Sequence, residues 1–230
     1  MPGISVVLPA YNEEENVPKT VGEVVEALKG ITQDYEIIVV DDGSRDRTAE
    51  VTRELALIHP GVRLVAHEVN RGYGAAVHSG FYAATKELVF MTDADNQFDV
   101  SEISKLLPHV GDADLVIGYR AKRQDPFIRK LNALGWCWLI NLLFGYTARD
   151  VDCAFKLFKR EILDNITIES RGATFSAEFL VRAKRKGYRI REVPVSHRPR
   201  MAGSQTGARI DVILRAFREL IRFRRRLSRE

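Results

Sequence analysis

The chain is 230 residues long, 45% hydrophobic and 29% charged, with a formal net charge of +4. This composition is ordinary for a soluble globular protein, and the length predicts one domain with a substantial core. A membrane span is not expected, because no stretch of about 18 apolar residues is free of charge.

The cysteines and the N-terminal residues bear on the cellular compartment. Cys137 and Cys153 provide no disulfide framework, and we expect free thiols in a reducing environment. Met1-Pro2-Gly3 leads directly into an apolar run, so no signal peptide is expected. Both features predict a cytoplasmic protein.

In the first half of the chain, short apolar runs typical of buried strands alternate with segments of helical periodicity. This alternation predicts an α/β fold with a mostly parallel central sheet, right-handed crossovers and helices on both faces. Asp46 is expected to cap the second helix. The predicted strands are Ile4–Leu8, Glu36–Val40, Val62–Ala66, Leu88–Thr92 and Leu115–Gly118, and the predicted helices are Glu14–Leu28, 47–58 and Gly72–Thr85.

The second half is less regular. We expect one compact domain over residues 1–208, in which 1–118 bind a nucleotide and 119–208 bind an acceptor, followed by a C-terminal helix within 209–230. The predicted strands are Phe155–Phe158 and Arg189–Val195, and the predicted helices are the aromatic, amphipathic Arg129–Phe144, Thr174–Lys186 with Gly187 as its C-cap, and Ile210–Leu227.

Polar loops follow three of the predicted strands, at the sheet edge where parallel α/β folds bind ligands. In the first loop Pro9 rigidifies the strand exit, Tyr11 offers a ring for stacking on a base, and Glu13 can accept a hydrogen bond from base or ribose. An acid favoured at a helix N-terminus explains Glu13 equally well. In the second loop, Asp41–Ser44, a carboxylate can bind a ribose or a base, although Asp, Gly and Ser also form ordinary turns.

The third loop, Asp93–Gln97, is the most specific. In an extended segment residues i and i+2 point the same way, so Asp93 and Asp95 can share a site while Ala94 faces the core. A divalent cation would relieve the repulsion between the two carboxylates, and Gln97 adds a neutral oxygen. Hard oxygen ligands suit Mg²⁺ or Mn²⁺, which would also bind a diphosphate. A solvated loop is the alternative.

Four segments, in this order and spacing, resemble glycosyltransferase family 2, which has the GT-A fold: PAYNEEEN, EIIVVDDGSRDRT, NRGYGAA and TDADNQF. Three later segments resemble its polyprenyl-phosphate branch, which includes dolichyl-phosphate mannose and glucose synthases: IGYRAKR, ARDVDCAFKLFKRE and REVPVSHRPRMAGSQTG. The resemblance implies a GT-A, Rossmann-like fold. It also implies inverting, metal-dependent transfer of a hexose from UDP-glucose or GDP-mannose to a polyprenyl phosphate, by a protein peripheral to the cytoplasmic face of a membrane.

The resemblance also implies roles for individual residues. A metal at Asp95 and a cationic side chain such as Arg200 would stabilise the charge that develops on the leaving diphosphate. The residues carried over by motif are Pro9, Tyr11, Glu13, Val40 and Asp42 for the nucleotide, Asp93 and Ala94 for ribose and diphosphate, Asp93, Asp95 and Gln97 for the metal, and Arg120 and Arg200 for the phosphates of donor or acceptor, with Asp95, Arg120 and Arg200 as the catalytic group.

Two positions depart from the mannose synthases. The run Asp152-Cys153-Ala154-Phe155-Lys156 stands where those enzymes carry Thr/Ser-Gly/Ser-Ser before the Phe, and it resembles the glucose synthases instead. Thr206 stands where the mannose synthases carry a Lys. These departures weaken the case for an acceptor-phosphate contact at position 206 and for mannose as the sugar.

The acceptor is inferred from which catalytic groups the chain carries. A sugar hydroxyl would need a general base, and the Gln-x-x-Arg-Trp motif of glycan-synthesising relatives does not occur in this sequence. A lipid phosphate is already anionic and needs cationic side chains to position it. Alternatively, the basic residues within 120–130 form an ordinary solvent-exposed surface with no ligand. The candidate phosphate ligands are Arg120, Lys122, Arg123, Arg129, Lys130, His197, Arg198 and Arg200, and the remaining acids, each more typical of a salt-bridge partner than of a base, are Asp150, Asp152 and Glu178.

The C-terminal segment is strongly basic. Residues 209–230 hold eight arginines and three acids, a net charge of +5, so residues 1–208 sum to −1. On a helix this segment could lie in the headgroup region of an anionic membrane, pack on the domain, or form a dimer contact. Its predicted basic stripe is Arg215, Arg218, Arg222, Arg225 and Arg229, and its predicted apolar stripe is Ile210, Ile213, Leu214, Phe217, Leu220 and Ile221.

Two other functions stay open from the sequence. One is an enzyme of the same fold that acts on a soluble glycan or a small hydroxylated acceptor. The other is a non-catalytic module that binds a nucleotide or an anionic lipid. A nucleic-acid partner is not expected, because the near-neutral body lacks the basic patch interleaved with aromatic residues that single-strand binders show.

Overall fold

One seven-stranded sheet organises the computed structural model of this chain, which describes residues 1–121, 123–124, 127–199 and 210–229, except for the side chains of 127–129 and 210–214. The strands lie in the order β3-β2-β1-β4-β6-β5-β7. They are β1 (Ile4–Ala10), β2 (Tyr35–Asp41), β3 (Val62–Ala66), β4 (Leu88–Thr92), β5 (Leu115–Arg120), β6 (Phe155–Lys159) and β7 (Ile190–Val195).

The direction of one strand was not predicted. All strand pairs are parallel except those of β6, which runs antiparallel to both β4 and β5. The predicted α/β fold with a mostly parallel sheet is therefore confirmed. The reversal of β6 escapes the sequence because a short buried apolar run carries no signal for its direction.

The helices agree with the predicted ones apart from their bounds and two short additions. Helix α1 begins at Val17 rather than at Glu14, because Pro18 suits the first turn of a helix and the residues before it form a turn closed on the Glu13 carbonyl. Helices α4 and α6 are too short to show a helical period in the sequence. The helices are α1 (Val17–Lys29), α2 (Thr48–Ile58), α3 (Tyr73–Ala83), α4 (Ile103–Leu106), α5 (Phe127–Phe144), α6 (Glu161–Asn165), α7 (Phe175–Arg185) and α8 (Ile210–Leu227).

The predicted N-cap of α2 is wrong by one residue: Arg47 occupies the N-cap position without a side-chain capping bond, and Asp46 precedes it. Asp46 Oδ1 accepts a hydrogen bond from the amide of Thr48 at 3.0 Å, which satisfies a donor in the first turn of α2. Gly187 follows α7 with φ +86°, the left-handed conformation in which glycine commonly ends a helix.

The core forms on both faces of the sheet. Every residue of β1 and β4 is buried, as are all but the first of β2; these strands are mostly apolar, with Ser5 and Glu36 as buried polar residues. Helix α3 lies close to β1 and β2 because Gly80 has no side chain: a Cβ there would lie 2.3 Å from Val7 Cγ1 and 3.0 Å from Val40 Cγ2.

Aromatic rings join the two halves of the chain. Phe81 of α3 packs edge-to-face on Phe158 of β6 and on Phe175 and Phe179 of α7, with ring centroids 4.9–5.6 Å apart. Such pairs contribute about 0.5–1.5 kcal/mol each beyond the area that they bury. The halves 1–118 and 119–208 therefore share a core.

Helix α8 packs on the domain, one of the three fates that the sequence left open. Its buried side chains are Ala216, Leu220, Phe223 and Leu227. The predicted apolar stripe is therefore wrong in part, since Phe217 and Ile221 are exposed; the side chains of 210–214 lie outside the described residues. Within the described part of the chain, no helix combines the length and apolar character needed to cross a bilayer.

The sheet gathers the polar loops at one edge. Ala10 at the end of β1 pairs with Asp41 at the end of β2, and Arg120 at the end of β5 pairs with Val195 at the end of β7. Because β6 is reversed, its first residue lies opposite Thr92, the last residue of β4. The loops after β1, β2, β4, β5 and β7 and the loop before β6 therefore share this edge.

Candidate active site

The loop 93–97 leaves β4 at the centre of this edge and is held in shape by α1. Asn96 adopts φ +58°, a left-handed conformation that asparagine tolerates. The Thr20 hydroxyl is 3.1 Å from both Ala94 O and Asn96 Oδ1, and Asn96 Nδ2 donates to Asn16 Oδ1 at 3.1 Å. Ala94 is buried, as predicted. The supporting residues Asn16, Thr20 and Asn96 were missed by the sequence reasoning.

Asp93 has an unsatisfied oxygen. Its Oδ1 is buried and has no hydrogen-bond partner among the described residues, while its carboxylate accepts a hydrogen bond from the Tyr73 hydroxyl. Burial and the neighbouring charge of Asp95 raise the pKa of Asp93 to about 7, against the opposing effects of Tyr73, Lys156 and Arg120. A cation beside Asp93 would supply the missing partner and relieve the repulsion from Asp95.

Tyr73 contacts the Asp93 carboxylate through its hydroxyl. Desolvation of its hydroxyl, with the charge of Asp93, raises the pKa of Tyr73 well above its usual range. The residue as a whole is nonetheless 40% exposed, so its ring borders open space while its hydroxyl points among the acids. Tyr73 was not among the predicted site residues, although it stands within the NRGYGAA segment.

Asp95 and Gln97 are both buried. Asp95 Oδ1 accepts the Gln97 amide at 3.1 Å, which closes the loop on itself. Gln97 Nε2 donates to Arg198 O at 3.3 Å, and Arg198 N donates to Gln97 O at 2.7 Å. The segment after β7 is thus tied to the predicted metal loop. Across the described residues, no three His, Cys, Asp or Glu side chains are grouped closely enough to hold a metal by themselves.

Lys156 supports the loop before β6 and was missed by the sequence reasoning. It is completely buried, and its amine donates to Val151 O at 3.3 Å and to Cys153 O. Burial lowers the pKa of Lys156, and the nearby thiol of Cys153 and the carboxylates of Asp152, Asp150 and Asp93 oppose that shift. The sequence feature that could have identified Lys156 is its position within the otherwise apolar segment FKLF.

Arg120 forms a buried ion pair with Asp150. Its Nε and Nη2 each lie 2.6 Å from an Asp150 oxygen, and Arg123 Nη1 lies 3.9 Å from Asp150 Oδ1. Burial alone would lower the pKa of Arg120, but the hydrogen bonds and charge of Asp150 outweigh it and raise that pKa. Asp150 is therefore a salt-bridge partner, which is the role that the sequence analysis gives as more typical for it. Arg120 lies at the predicted edge, and two of its nitrogens donate to Asp150.

The other two candidate bases differ in setting. Glu178 is completely buried, accepts from Arg182 Nε at 2.8 Å and from Ser170 N at 2.8 Å, and is enclosed in a structural network. Asp152 is exposed to solvent, and its charge interacts with those of Tyr73, Lys156 and Arg120 at the candidate site. Desolvation, opposed by Lys156 and reinforced by Asp150, raises the pKa of Asp152 to about 6.

Asp42 organises the segment that leads into α3. Its Oδ1 lies 2.7 Å from His67 Nδ1 and accepts from Arg71 N at 2.9 Å, and its Oδ2 accepts from Gly72 N at 2.8 Å. His67 Nε2 in turn lies 2.9 Å from Ser79 Oγ. Asp42 lies at the predicted edge, and its carboxylate fixes the backbone just before Tyr73.

The remaining predicted nucleotide contacts surround the first two loops. Pro9 and Val40 are neighbours across β1 and β2, and the Val40 side chain is buried against Gly80 of α3. Tyr11 is half-buried. Glu13 is buried and accepts from Asn16 Nδ2 at 2.6 Å, so its carboxylate takes part in the start of α1.

The other predicted phosphate ligands lie outside the described residues or are engaged within the protein. Arg200, Thr206 and Lys122 lie outside the described residues, as does the side chain of Arg129. His197 is buried beside Phe98, with ring centroids 5.6 Å apart, and its Nδ1 accepts from Gln124 N at 3.3 Å. Arg198 pairs with Asp99 at 2.8 Å.

Comparison with known proteins identifies the family and the fold of the chain. The family model described as glycosyl transferase family 2 matches residues 5–167. The chain is 37% identical over 209 residues to the dolichyl-phosphate beta-glucosyltransferase ALG5A of Trichomonas vaginalis, covering 84% of this chain and 64% of that protein. It is 33% identical over 203 residues to the undecaprenyl-phosphate 4-deoxy-4-formamido-L-arabinose transferase of Proteus mirabilis, covering 87% of this chain and 61% of that protein.

Solved structures show the same fold. The glucosyl-3-phosphoglycerate synthase of Mycobacterium tuberculosis, in complex with Mn²⁺, UDP and glucosyl-3-phosphoglycerate, superposes with a TM-score of 0.70 at 21% identity, over 96% of this chain and 78% of that one. The fold is that of the GT-A glycosyltransferases. The chain belongs to glycosyltransferase family 2. It spans somewhat less than two thirds of the length of the curated relatives described above.

Proposed function

We propose that this protein transfers a hexose from a nucleotide-sugar, UDP-glucose or GDP-mannose, to a polyprenyl phosphate, with inversion at the anomeric carbon. The observation that carries the proposal is the edge where the Asp93–Asp95 loop meets the Arg120–Asp150 pair. The support is electrostatic: the charge of Arg120, a side chain suited to bind a phosphate acceptor, lowers the pKa of Asp93, an acid suited to hold the metal of a metal-bound diphosphate. Dolichyl-phosphate and undecaprenyl-phosphate transferases among the relatives support this acceptor class.

A divalent metal, Mg²⁺ or Mn²⁺, fits the residues present. Within the described part of the chain Asp93 Oδ1 is buried without a hydrogen-bond partner, and the candidate metal ligands are hard oxygens of Asp93, Asp95 and Gln97. These three side chains would hold the ion. When bound, it would neutralise the negative charge that grows on the departing nucleoside diphosphate. A structure of the same fold that contains Mn²⁺ and UDP supports this assignment.

The protein's own side chains orient the reactants. Tyr73 holds the Asp93 carboxylate by its hydroxyl, and Asp42 fixes the backbone before Tyr73. The nucleotide would lie over the loops of Pro9, Tyr11, Glu13, Val40 and Asp42, with Ala94 beside the diphosphate. A polyprenyl phosphate would enter from the side of Arg120 and attack the anomeric carbon from the face opposite the diphosphate. Arg200 remains a predicted phosphate ligand.

The reaction belongs at a membrane surface in this proposal, because a polyprenyl phosphate resides there. The basic helix α8 suits an anionic cytoplasmic leaflet. The test is release of nucleoside diphosphate from UDP-glucose or GDP-mannose with Mg²⁺ or Mn²⁺ and a short polyprenyl phosphate. Release that depends on the lipid phosphate is expected, and its absence with both donors would overturn the proposal.

The second candidate is transfer to a soluble hydroxyl acceptor, which one observation favours. Asp152 is exposed beside Lys156 and the Arg120–Asp150 pair with its pKa raised to about 6, a value compatible with a general base near neutral pH. Asp152→Asn separates the two: transfer to a phosphate needs no base and should fall less than about tenfold, whereas base-dependent transfer to a hydroxyl should fall by about 10²–10⁴.

A further inference from the structure

Lys156 is a buried cation near the middle of the sheet. It is 1% exposed, and no other lysine among the described residues is buried. On β6 it lies opposite Met91 of β4 and Ile117 of β5. It therefore stands between the strand that leads to Asp93 and the strand that ends at Arg120. Because burying an ammonium is costly unless hydrogen bonds and negative charge surround it, the groups around Lys156 indicate its role.

Two backbone carbonyls fix the position of the Lys156 amine. The amine donates to Val151 O at 3.3 Å and also to Cys153 O. Both carbonyls belong to the loop before β6, which carries Asp150 and Asp152. The positive charge of Lys156 is therefore held beside this loop, at the edge of the sheet where the candidate site lies.

The charge of Lys156 acts on acids of two different loops. It opposes the effect of burial on the pKa of Asp93, in the predicted metal loop, and on the pKa of Asp152, in the loop before β6. In turn, these two carboxylates and that of Asp150 oppose the lowering of the Lys156 pKa by burial. Asp150 is already paired with Arg120. The acids that Lys156 chiefly balances are therefore Asp93 and Asp152.

A lysine and a divalent cation near the same carboxylate repel each other. Lys156 donates to carbonyls rather than to Asp93, and Asp93 Oδ1 has no hydrogen-bond partner among the described residues. Lys156 therefore leaves this oxygen available to a metal, while its positive charge disfavours the metal. A diphosphate brings negative charge to the same place and attracts both cations. The lysine thus disfavours a metal alone more than a metal together with a diphosphate.

We propose that Lys156 is a positioning residue that makes metal binding depend on the nucleotide. As a fixed internal counter-cation it stabilises the acids of the site when no metal is bound. It also lowers the affinity for a divalent cation alone, so the cation and the nucleoside diphosphate bind and leave together. This inference rests on the proposed function, which needs a metal-bound nucleoside diphosphate. Lys156 is not a catalytic residue in this proposal, because its amine is engaged with the carbonyls of Val151 and Cys153.

A lysine that only holds the loop before β6 in shape is the alternative. In that case removal of the amine loosens the loop, and every ligand of the site binds more weakly. The counter-cation role predicts changes of opposite sign: the metal alone binds more tightly, and the nucleotide binds more weakly when metal is present. The sign of the change in metal affinity therefore separates the two roles.

Titration with Mn²⁺, in which the free ion is followed by electron paramagnetic resonance, measures the affinity for the metal alone. Lys156→Met removes the charge and nearly keeps the length of the side chain. It should tighten Mn²⁺ binding without nucleotide about fivefold, because a nearby positive charge is lost. At saturating Mn²⁺ the same variant should weaken the binding of UDP or GDP, whichever the wild type binds, about fivefold. Calorimetry measures this second affinity.

Three further variants separate charge from structure. Lys156→Gln removes the charge but keeps an N–H donor for the loop carbonyls, and it should shift both affinities in the same directions as Lys156→Met. Lys156→Arg keeps the charge and should keep both affinities within about twofold of the wild type. Lys159→Met is the matched control, since Lys159 ends the same strand and pairs with Asp114 at 2.8 Å. It should leave both affinities unchanged. Thermal unfolding identifies any variant that does not fold.

Mn²⁺ affinity without nucleotide that Lys156→Met and Lys156→Gln leave unchanged or weaken overturns the proposal. Wild-type Mn²⁺ affinity that neither UDP nor GDP raises also overturns it, and this measurement decides the matter even if the neutral variants do not fold. Hexose transfer by the wild type to a short polyprenyl phosphate tests the proposed function separately. If that transfer fails with both donors while the neutral variants tighten Mn²⁺ binding, the function falls and the role of Lys156 stands.

Discussion

Two nitrogens of Arg120, Nε and Nη2, each lie 2.6 Å from a carboxylate oxygen of Asp150. Arg120 ends β5 and Asp150 lies in the loop before β6, so this bidentate pair joins two segments at the site edge. Both side chains are about nine-tenths buried. Removing either partner would leave a buried charge unpaired, which is costly.

Arg120→Ala and Asp150→Ala should each lower the free energy of unfolding by about 3 kcal/mol. The double variant should lose much less than the sum, because it leaves neither charge unpaired. Denaturant unfolding measures all three. The exposed pair Arg191–Asp112, with its atoms 3.1 Å apart, is the control, and breaking it should cost less than about 1 kcal/mol. Additive losses at Arg120 and Asp150 would show that the pair is not coupled.

Tyr73→Phe removes the hydroxyl that bonds the Asp93 carboxylate and keeps the ring. The turnover number is expected to fall about tenfold or more, because Asp93 loses a charge-assisted hydrogen bond that orients it. Steady-state kinetics with the proposed donor measure the change. Tyr82→Phe is the control, since Tyr82 is exposed elsewhere on α3. Full activity of the Tyr73→Phe variant would show that the Tyr73 hydroxyl has no role in the reaction.

Glu36 gives a pH-dependent contribution to stability. Burial alone would raise its pKa, but hydrogen bonds from Ser5, Thr85 and Arg63 outweigh it and lower the pKa of Glu36 from 4.5 to about 2. A lowered pKa stabilises the folded state above pH 4.5, and this contribution is lost as pH falls toward about 2.

Glu36→Gln should therefore have a lower melting temperature at neutral pH and a flatter loss of stability between pH 4.5 and about 2. Thermal unfolding across that range measures both slopes. The exposed Glu26, which pairs only with Lys29 three residues away, is the matched control for a Glu→Gln change. Identical slopes in wild type and Glu36→Gln would contradict the assignment.

Two glycine substitutions should change stability in opposite directions. Gly80→Ala puts a Cβ 2.3 Å from Val7 Cγ1 and should lower the free energy of unfolding by about 1–3 kcal/mol. Gly22→Ala on α1 meets nothing within 4 Å and should raise it by up to about 1 kcal/mol. Chemical denaturation tests both. Equal tolerance at the two positions would mean that α3 does not lie against β1.

Local signals explain why much of this architecture is predictable. Buried strands such as β1 and β4 are predominantly apolar, and α1 repeats valines at helical spacing. The acids that follow β2 and β4 are recognisable because polar residues directly after a buried strand must lie at its end. The shared edge then follows from the rules of parallel sheets.

What the sequence leaves open depends on contacts between distant residues. The reversed direction of β6 is set by its neighbours β4 and β5. Lys156 and Tyr73 reach the site only through folding. Both interact with Asp93, which lies 63 residues from Lys156 and 20 residues from Tyr73 in the sequence. The exposed and buried faces of α8 differ from the predicted stripe because packing on α5 and α7, rather than hydrophobicity alone, sets the rotation of the helix.

The central claim is that Asp93, Asp95 and Gln97 hold a divalent cation that binds a nucleoside diphosphate. Isothermal titration calorimetry with Mn²⁺ and UDP or GDP measures this directly, with Asp95→Asn as the test and the exposed Asp34→Asn as the control. We predict Mn²⁺-dependent nucleotide binding in the wild type and in Asp34→Asn, and its loss in Asp95→Asn. Binding that needs no metal, or that survives unchanged in Asp95→Asn, would contradict the account.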